Sequence, residues 1–209
     1  MFGRLLRVTA VLAAPALLSA CAAISAVNDI GKSLEVYELR PPASIATVRG
    51  RPLQRDVIVE LPTTSGALET DRIMIRPNAL QAQYLPGVRW SEETPVMVQT
   101  LMLRSVEATG AVRYVGRKPL GPGGDYALVT EVVDFQAEVA DEAEAATVRI
   151  RMIVRVVRER DARIVASRTF EATAASASLE TPDVVSAFDA AAGQAMTDFA
   201  AWLPGVVRG

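Results

Sequence analysis

The stretch Thr147–Arg158, which reads TVRIRMIVRVVR, decides the fold because apolar side chains recur at every second position. One face of this stretch carries Val148, Ile150, Met152, Val154 and Val156. The opposite face carries Arg149, Arg151 and Arg155. Successive side chains of a strand point to opposite faces, so this period predicts a β-strand with one buried face, which is typical of an antiparallel sheet.

Two more long strands are predicted next to this one. Residues 126–139 form a long run of β-forming residues before it, and Arg163–Ala175 follows after the turn signal at residues 160–162. On the last strand, one face carries Ile164, Ala166, Phe170 and Ala172. Three consecutive long strands with short links predict a β-meander.

Two amphipathic helices are predicted, and each begins at a threonine followed by a proline. Thr94 is the expected N-cap of the first helix, with Gly110 as its C-terminal cap. Thr181 is the expected N-cap of the second helix, which is expected to end at Pro204 and Gly205. The first apolar stripe is Val98, Leu101, Met102, Ser105 and Val106, and the second is Val184, Phe188, Ala191, Ala195, Phe199 and Trp202. Each stripe predicts packing against the sheet.

The first half of the chain has shorter strand signals. Strands are predicted at residues 34–39, 56–61, 72–76, 80–85 and 111–116, with Pro77 and Asn78 as the turn of a hairpin and loops at 63–70 and 121–124. Together with the meander, these signals predict an α+β fold. We expect an antiparallel β-sheet with two main amphipathic helices packed on one face and arginines on the other.

Composition excludes several classes of function. The 209 residues have a formal net charge of −2, so the chain lacks the positive excess with which proteins bind nucleic acid. It has no histidine and one cysteine, which excludes Ser–His, Cys–His and histidine–metal chemistry, an intrachain disulfide and a Cys-rich zinc site. Because 50% of the residues are hydrophobic, there is material for one core. Binding, structural and carboxylate-based functions remain.

The N-terminus has the pattern of a bacterial lipoprotein signal peptide. Arg4 and Arg7 precede an apolar segment, residues 8–18, that is too short to span a bilayer. Residues 18–21 read Leu-Ser-Ala-Cys and resemble the lipobox, in which the cysteine is lipidated and becomes the new N-terminus. We therefore predict removal of residues 1–20 and a covalent N-acyl diacylglyceryl lipid on Cys21, which anchors the chain without spanning the membrane.

The predicted domain organisation follows from that cleavage. Residues 21–33 would comprise the lipidated cysteine and a tether, and residues 34–209 a single domain. Ala22 follows the cysteine, and by resemblance to the sorting rule of enterobacterial lipoproteins this residue favours the outer membrane, facing the periplasm.

Carboxylates are the remaining candidates for acid–base or cation-binding chemistry. They are Glu131, Asp134 and Glu138 on a predicted strand, and Asp141, Glu142 and Glu144 in the loop after it. General acid–base work needs two carboxylates in different environments, and a calcium loop needs alternating ligands and a central glycine. The pattern matches neither, and it favours a solvated sheet edge and an acidic turn. We predict no catalytic residue, no metal site and no cofactor beyond the covalent lipid.

The arginine row of the central strand has two interpretations. Arg149, Arg151 and Arg155 have the chemistry to bind lipid phosphates or an acidic partner. Alternatively, they pair across strands with Glu131, Glu138 or Glu171. The mixture of charges favours cross-strand pairing.

A set of motifs in the first half carries a family resemblance. In chain order, the motifs are Tyr37-Glu38-Leu39, Val59-Glu60-Leu61-Pro62, Asp71-Arg72-Ile73-Met74-Ile75-Arg76, Tyr84, Arg89-Trp90-Ser91-Glu92 and Pro95. With the lipobox, they resemble the ABC-type transport auxiliary lipoproteins (PqiC-like lipoproteins), most specifically at residues 71–92. Cys21 matches as the lipidation site. Asp71, Arg72, Arg89 and Trp90 match the family signature, and we interpret them as structural, through an Asp–Arg pair or an arginine on a tryptophan ring.

The resemblance implies a non-catalytic accessory subunit. Its partners would be an MCE-domain protein with its ABC permease and ATPase, which move phospholipids or other hydrophobic molecules across the envelope. The lipoprotein would dock that assembly at the outer membrane, and because MCE proteins form rings, a homo-oligomer stays open. Two alternatives remain: a lipid-binding periplasmic carrier with Phe188, Phe199 and Trp202 lining a cavity, and a structural lipoprotein that assists outer-membrane assembly.

Overall fold

The computed structural model describes residues 33–140 and 143–209. The predicted signal peptide, Cys21 and nearly all of the tether lie outside the described residues, as do Asp141 and Glu142 of the acidic loop. The chain divides into two compact units, Met1–Glu35 and Val36–Gly209. The fold described below is that of the second unit.

The described residues form ten strands and two α-helices. In chain order, the strands are β1 (Glu35–Tyr37), β2 (Leu53–Val59), β3 (Thr63–Thr64), β4 (Met74–Asn78), β5 (Gln81–Tyr84), β6 (Val88–Trp90), β7 (Val112–Gly116), β8 (Tyr126–Glu138), β9 (Thr147–Arg158) and β10 (Arg163–Ala175). Helix α1 (Thr94–Thr109) lies between β6 and β7, and helix α2 (Thr181–Val206) follows β10.

The predicted meander is confirmed in β8, β9 and β10, which pair antiparallel in that order. Met152 in the central strand lies opposite Val132 on one side and Phe170 on the other. The predicted apolar face of β9 is at most 2% exposed at Val148, Ile150, Met152, Val154 and Val156. The period of two in TVRIRMIVRVVR therefore corresponds to a strand with one buried face.

The α+β class is confirmed, but the main sheet is mixed, whereas the sequence predicted an antiparallel sheet. Its strand order is β10-β9-β8-β2-β7, and β2 runs parallel to both β8 and β7. The short strands β3 and β4 also run parallel to β8. Parallel neighbours need a long crossover connection, and the segment that contains α1 provides one between β2 and β7. Both helices pack on the apolar face, α1 against β2 and β7 and α2 against β9 and β10, and they contact each other.

Bulges explain where the alternation of the sequence is irregular. The register of β8 shifts between Val132 and Asp134, so the buried positions change from even residues such as Leu128 to odd residues such as Phe135. The register of β10 shifts next to Ile164, which is 56% exposed. The prediction that Ile164 lies on the buried face was therefore wrong, because the bulge turns that side chain outward.

Helix α1 begins one residue earlier than predicted. Glu93 occupies the N-cap position, and the Thr94 hydroxyl donates to the Thr70 carbonyl oxygen at 3.2 Å. The prediction of Thr94 as N-cap was therefore wrong, because this hydroxyl ties the helix to a neighbouring loop. Pro95 lies in the first turn, as predicted, and Gly110 caps the C-terminus with a φ of 60°, a left-handed conformation that glycine adopts without strain.

Glu180, with its extended backbone, occupies the N-cap position of α2, so the prediction of Thr181 as N-cap was wrong. Helix α2 also continues through Pro204 and Gly205, so the prediction that these residues end it was wrong. A proline removes one backbone donor and disfavours helical geometry before it, but here it lies in the last turn. Leu203, Pro204 and Val207 are buried, and the Val207 N–H still donates to the Leu203 carbonyl at 3.1 Å. Tertiary packing of this turn therefore overrides the local signal.

The β4–β5 hairpin is confirmed, but its turn lies two residues later than predicted. Pro77 and Asn78 belong to β4, and the turn is at Ala79 and Leu80. The Leu80 N–H donates to the Asn78 side-chain oxygen at 3.1 Å, and the Asn78 amide donates to Gln81 at 3.1 Å. Asn78 thus closes the turn from the end of the strand, and Pro77 lies at a register shift, where a missing N–H is tolerated.

One predicted loop contains a strand. Thr63 and Thr64 form β3 beside β8, and the Thr64 hydroxyl donates to the Val132 carbonyl at 2.8 Å. This side-chain bond helps to hold a strand whose two residues are too few to show a periodic pattern. The predicted glycine-rich loop at residues 121–124 is confirmed.

Candidate functional site

The family motifs of residues 71–92, which we call the signature block, contain an ion pair. A guanidinium nitrogen of Arg89 lies 3.0 Å from Oδ2 of Asp71, and the two side chains are 39% and 38% exposed. The Trp90 N–H donates to the Asp71 carbonyl oxygen at 2.6 Å, so Asp71 holds β6 through both its side chain and its backbone. An ion pair this exposed contributes about 0.2–1 kcal/mol to stability. Of the two contacts predicted for this block, the structure shows the Asp–Arg pair.

Trp90 is the buried anchor of the block. It is 1% exposed, and its ring meets those of Phe188 and Phe135 edge-on, with centroids 5.2 and 6.3 Å away. Phe135 and Phe188 stack on each other at 5.5 Å. Such pairs contribute about 0.5–1.5 kcal/mol beyond the area they bury. One side chain thereby joins β6 to β8 and to α2.

Arg72 and Tyr84 form the third contact of the block. The Arg72 guanidinium lies 4.3 Å from the centre of the Tyr84 ring, a distance typical of a cation–π contact. The Tyr84 hydroxyl donates to the Ala67 carbonyl at 2.9 Å, and the Thr94 N–H donates to the Thr70 carbonyl at 3.0 Å. The segment before β4 is therefore tied to the hairpin and to the start of α1.

The exposed sheet face carries a ladder of ion pairs, which we call the arginine ladder. Arg149 contacts Glu138 at 2.9 Å and Glu171 at 2.7 Å. Arg151 contacts Asp134 at 2.6 Å, and Arg155 contacts Glu131 at 3.6 Å. The prediction of cross-strand pairing is confirmed, with Asp134 as an additional acceptor. Each of these arginines already has a carboxylate partner, which a phosphate would have to displace.

The ladder favours the charged form of Arg149, the arginine with two carboxylate partners. The hydrogen bond from Arg149 to Glu138 and the negative charge of that carboxylate raise the pKa of Arg149 above its ordinary value. Glu171 acts in the same direction, and partial burial opposes both. The carboxylates Glu131, Asp134 and Glu138, which composition left as acid–base candidates, are thus held by arginines on one face.

Glu144 is the exposed, described part of the predicted acidic loop. Within residues 33–140 and 143–209, no group of three or more acidic, cysteine or histidine side chains is arranged to hold a metal ion.

The apolar stripe of α2 packs into the core. Phe188 and Phe199 are fully buried, and Phe170 meets Phe199 and Trp202 edge-on at 5.7 and 5.4 Å. With Trp90 on Phe188, these rings occupy the space between the helix and the sheet. The stripe therefore seals a core at these positions and leaves no open lining for a lipid chain.

Two residues that contact the signature block, Phe135 and Thr70, could not be identified from the sequence. Phe135 reaches Trp90 only because the bulge in β8 reverses the alternation before it. Thr70 accepts two bonds from Thr94 through its carbonyl group, a contact that side-chain identity does not encode. Cys21, the predicted lipidation site, lies outside the described residues.

Sequence comparison assigns these features to a family. The family model described as the ABC-type transport auxiliary lipoprotein component matches residues 37–200, which include the signature block and the arginine ladder. This chain belongs to that family. The auxiliary lipoproteins are named as a component of ABC-type transport, and the resemblance stated from the motifs is confirmed.

Solved structures similar to this auxiliary lipoprotein show the same fold. A crystallised protein from Xanthomonas campestris is 24% identical, with 83% of this chain and 96% of that one covered and a TM-score of 0.73. A second crystallised protein, described as uncharacterised, is 13% identical, with 82% and 99% covered and a TM-score of 0.61.

A sequence relative from Bradyrhizobium diazoefficiens, also described as uncharacterised, is 26% identical over 169 residues. That match covers 79% of this chain and 44% of the relative, so the chain spans less than half the length of that protein. In the described part of this auxiliary lipoprotein, neither helix is long and apolar enough to cross a membrane.

Proposed function

We propose that this auxiliary lipoprotein is a non-catalytic accessory subunit of an envelope transport system, anchored to the outer membrane and facing the periplasm. The system would consist of an MCE-domain protein with its ABC permease and ATPase, and it would move phospholipids or other hydrophobic molecules. The observation that carries this proposal is the family match over residues 37–200. The lipobox at residues 18–21, which contains the one cysteine of the chain, supports the anchor.

The proposed mechanism is anchoring and docking. Acyl chains on Cys21 would hold the chain at the membrane, since each buried methylene contributes about 0.8 kcal/mol and more than one chain makes the attachment stable. The folded unit would then present a rigid surface to the transport proteins. Rigidity follows from the filled core between α2 and the sheet, in which Trp90, Phe188 and Phe199 are at most 1% exposed.

Two further features of the proposal concern location and assembly. Ala22 after the lipidated cysteine supports the outer membrane, as the enterobacterial sorting rule has it. Because an MCE assembly is a ring, a docking subunit would gain avidity by binding in several copies. We therefore include a homo-oligomer on the ring in the proposal.

Affinity purification from native envelopes tests the proposal. The lipidated protein would be tagged at its C-terminus, extracted in mild detergent and analysed by mass spectrometry for its partners. A Cys21→Ser variant, which cannot be lipidated, is the matched control for membrane attachment. We expect an MCE protein, a permease and an ATPase with the wild type, and their loss or strong reduction with the variant. Recovery of barrel-assembly subunits in their place would favour the role in outer-membrane assembly and contradict the docking role.

Native mass spectrometry of the mature domain without its lipid distinguishes docking from carrying. A docking subunit should emerge without bound lipid, because the stripe of α2 is packed against aromatic rings. Stoichiometric phospholipid on the purified domain would instead support the lipid-binding carrier.

A further inference from the structure

The tip of the β4–β5 hairpin carries the most exposed large apolar side chain in the described part of the chain. Leu80 is 98% exposed, while the next, Leu120, is 73% exposed. Leu80 lies in the turn itself, with its N–H bound to the Asn78 side chain, so the geometry of the turn is set by polar contacts that leave the leucine side chain free. A single exposed leucine is common on protein surfaces, so what distinguishes Leu80 is the hairpin that carries it.

The hairpin is also free of charge. Residues 77–88 read PNALQAQYLPGV and contain no Asp, Glu, Lys, Arg or His, in a chain that is 22% charged. Arg76 at the base of the hairpin donates to the Ala79 carbonyl at 3.4 Å. Gln81, Ala82 and Gln83 on the returning strand are exposed. Within residues 77–88, moving this tip out of water therefore desolvates no ion, and the Arg76 guanidinium lies beside the turn through its bond to Ala79.

The hairpin projects from one end of the main sheet. Arg76 lies opposite Glu138, the last residue of β8, and the Val139 N–H donates to the Arg76 carbonyl at 3.0 Å, so Ala79 and Leu80 extend past that strand. At the same end, β9 begins, β10 finishes and α2 starts, because Glu138 pairs with Thr147 and Thr147 with Ala175. We call this the hairpin end.

The chain enters the folded unit towards the hairpin end. Strand β1 pairs with β6, and the Ser91 N–H donates to the Tyr37 carbonyl at 2.8 Å. Trp90 of β6 contacts Phe135, late in β8, and Phe188, early in α2. From Tyr37 the chain then runs to the far end of α1, where the Val48 N–H donates to the Thr109 carbonyl.

We propose that the hairpin tip inserts Leu80 into the lipid surface that holds the Cys21 anchor. This inference rests on the proposed lipid anchor, and it adds a second, orienting membrane contact. The domain then stands with its hairpin end on the membrane and its opposite end, with the loop at residues 121–124, directed away from it. That orientation leaves the arginine ladder accessible from the side.

The charges around the tip define the lipid surface. At the hairpin end, the carboxylates of Glu138, Glu144, Glu180 and Asp183 outnumber the guanidinium groups of Arg76 and Arg149, and Arg149 pairs with Glu138. These carboxylates repel an anionic surface, whereas zwitterionic head groups over hydrocarbon accept an uncharged apolar tip. The occupant is therefore a lipid surface of low net charge, and anionic lipid should weaken the insertion.

The free energy gained by inserting Leu80 is too small to bind a free protein to a membrane, but it is sufficient to orient a protein that is already anchored. Removing one fully exposed leucine side chain from water shifts the ratio of inserted to free tip about 10- to 100-fold, which corresponds to about 1.4–2.8 kcal/mol. Without an anchor, that shift is too small to hold a protein on a membrane. With the lipid on Cys21, the tip stays at a high effective concentration beside the surface, and insertion becomes the dominant state.

Fluorescence quenching in proteoliposomes tests the insertion. The full lipidated protein carries Leu80→Cys, labelled with an environment-sensitive dye; in lipidated protein, the sulfur of Cys21 is a thioether, which leaves the new thiol as the labelling site. The vesicles contain phosphatidylethanolamine and phosphatidylcholine with a nitroxide on the acyl chain. The matched control is Leu120→Cys, another exposed leucine in the loop before β8, at the opposite end.

We expect strong quenching of the dye at position 80, none at position 120, and weaker quenching at 80 when phosphatidylglycerol replaces part of the lipid. A dye on Gln81→Cys should also be quenched, and adding Leu80→Asp should abolish that quenching, whereas adding Leu120→Asp should not. Leu80→Asp should not affect folding, because the side chain is 98% exposed.

Three results would overturn the insertion. They are an unquenched dye at position 80, equal quenching at 80 and 120, and protection of position 80 only after a transport protein is added, which would make the tip a protein contact. Flotation of the same vesicles separates this failure from that of the anchor. Protein that floats with an unquenched tip refutes the insertion alone, and protein that does not float refutes the proposed anchor.

Discussion

The meander and the signature block are stabilised in different ways. Strands β8, β9 and β10 have 12 or 13 residues each, and the same two contacts, apolar below and ionic above, repeat along them. In the block between Ala67 and Thr94, strands have at most five residues, and each is held by a particular side chain. The repeated contacts of the meander distribute its stability over many residues, whereas the stability of the block depends on a few side chains. The block should therefore be the more sensitive region to single substitutions.

Trp90→Ala should have the largest effect. It removes a fully buried ring that contacts both Phe135 and Phe188, and we expect the free energy of unfolding to fall by about 3–5 kcal/mol. Denaturant unfolding followed by circular dichroism measures it. Trp202→Ala, which removes a half-buried ring beside Phe170, is the matched control and should cost less. Equal costs for the two tryptophans would remove the distinction between the regions.

Two double-mutant cycles compare ion pairs in the two regions. Arg151 and Asp134 lie 2.6 Å apart with the carboxylate side chain 17% exposed, while Arg89 and Asp71 lie 3.0 Å apart with 38% of the carboxylate exposed. Screening by water should weaken the attraction between Arg89 and Asp71 more than that between Arg151 and Asp134. We expect coupling energies of about 1 kcal/mol for the ladder pair and about 0.3 kcal/mol for the block pair.

The alanine variants of each residue and the two double variants supply these couplings from unfolding curves at low salt, and added salt should reduce both. A larger coupling for Arg89 and Asp71 would mean that burial does not set the strength of these pairs.

The two cation–π contacts offer a finer comparison. Arg72 lies 4.3 Å from the Tyr84 ring centre in the block, and Arg168 lies 5.1 Å from that of Phe170 in the meander. Arg72→Ala should lower the free energy of unfolding by about 0.5–1 kcal/mol, and Arg168→Ala by less, because the attraction weakens with distance. Thermal unfolding of both variants, with Arg72→Lys as a variant that keeps the charge, measures the difference. A larger loss of stability for Arg168→Ala than for Arg72→Ala would show that the distance to the ring does not decide the strength of these contacts.

The smallest effect concerns the turn between β9 and β10. Arg158 contacts both carboxylate oxygens of Asp161, at 3.0 and 2.7 Å, and this hydrogen bond lowers the pKa of Asp161. A folded pKa below the unfolded value of about 3.9 gives stability that is present above that pH and is lost as the pH falls through the folded pKa. Wild type should therefore exceed Asp161→Asn in stability at neutral pH, and the difference should shrink on acidification below about pH 4. A difference that grows on acidification would contradict the sign.

The sequence predicted the meander closely because its information is periodic. Five apolar residues of β9 lie at alternate positions on one face, so the pattern stays clear despite Ile153 and Val157 on the other face, and the bounds of β9 and β10 match the structure. The errors lie where one contact overrides a local pattern. Ile164 is turned outward by a bulge, Pro204 is held in α2 by buried neighbours, and the Thr94 hydroxyl bonds to a distant carbonyl.

The parallel pairing of β2 could also not be predicted from the residues of that strand alone. It depends on the crossover through α1 that joins β2 to β7. The signature residues were identified by family likeness, and their contacts became clear only from the structure. Asp71 and Arg89 are 18 positions apart, and Trp90 and Phe188 lie on elements nearly 100 positions apart, where neither period nor spacing predicts a contact.

Native mass spectrometry of the protein released from envelopes tests the lipid anchor and the docking role together, because one spectrum gives the N-terminus, its modification and the bound subunits. We expect a chain that begins at Cys21 with the mass of a diacylglyceryl group and an N-acyl chain, bound to an MCE-domain protein. A chain that retains residues 1–20, or an unmodified Cys21 with no transport subunit bound, would contradict it.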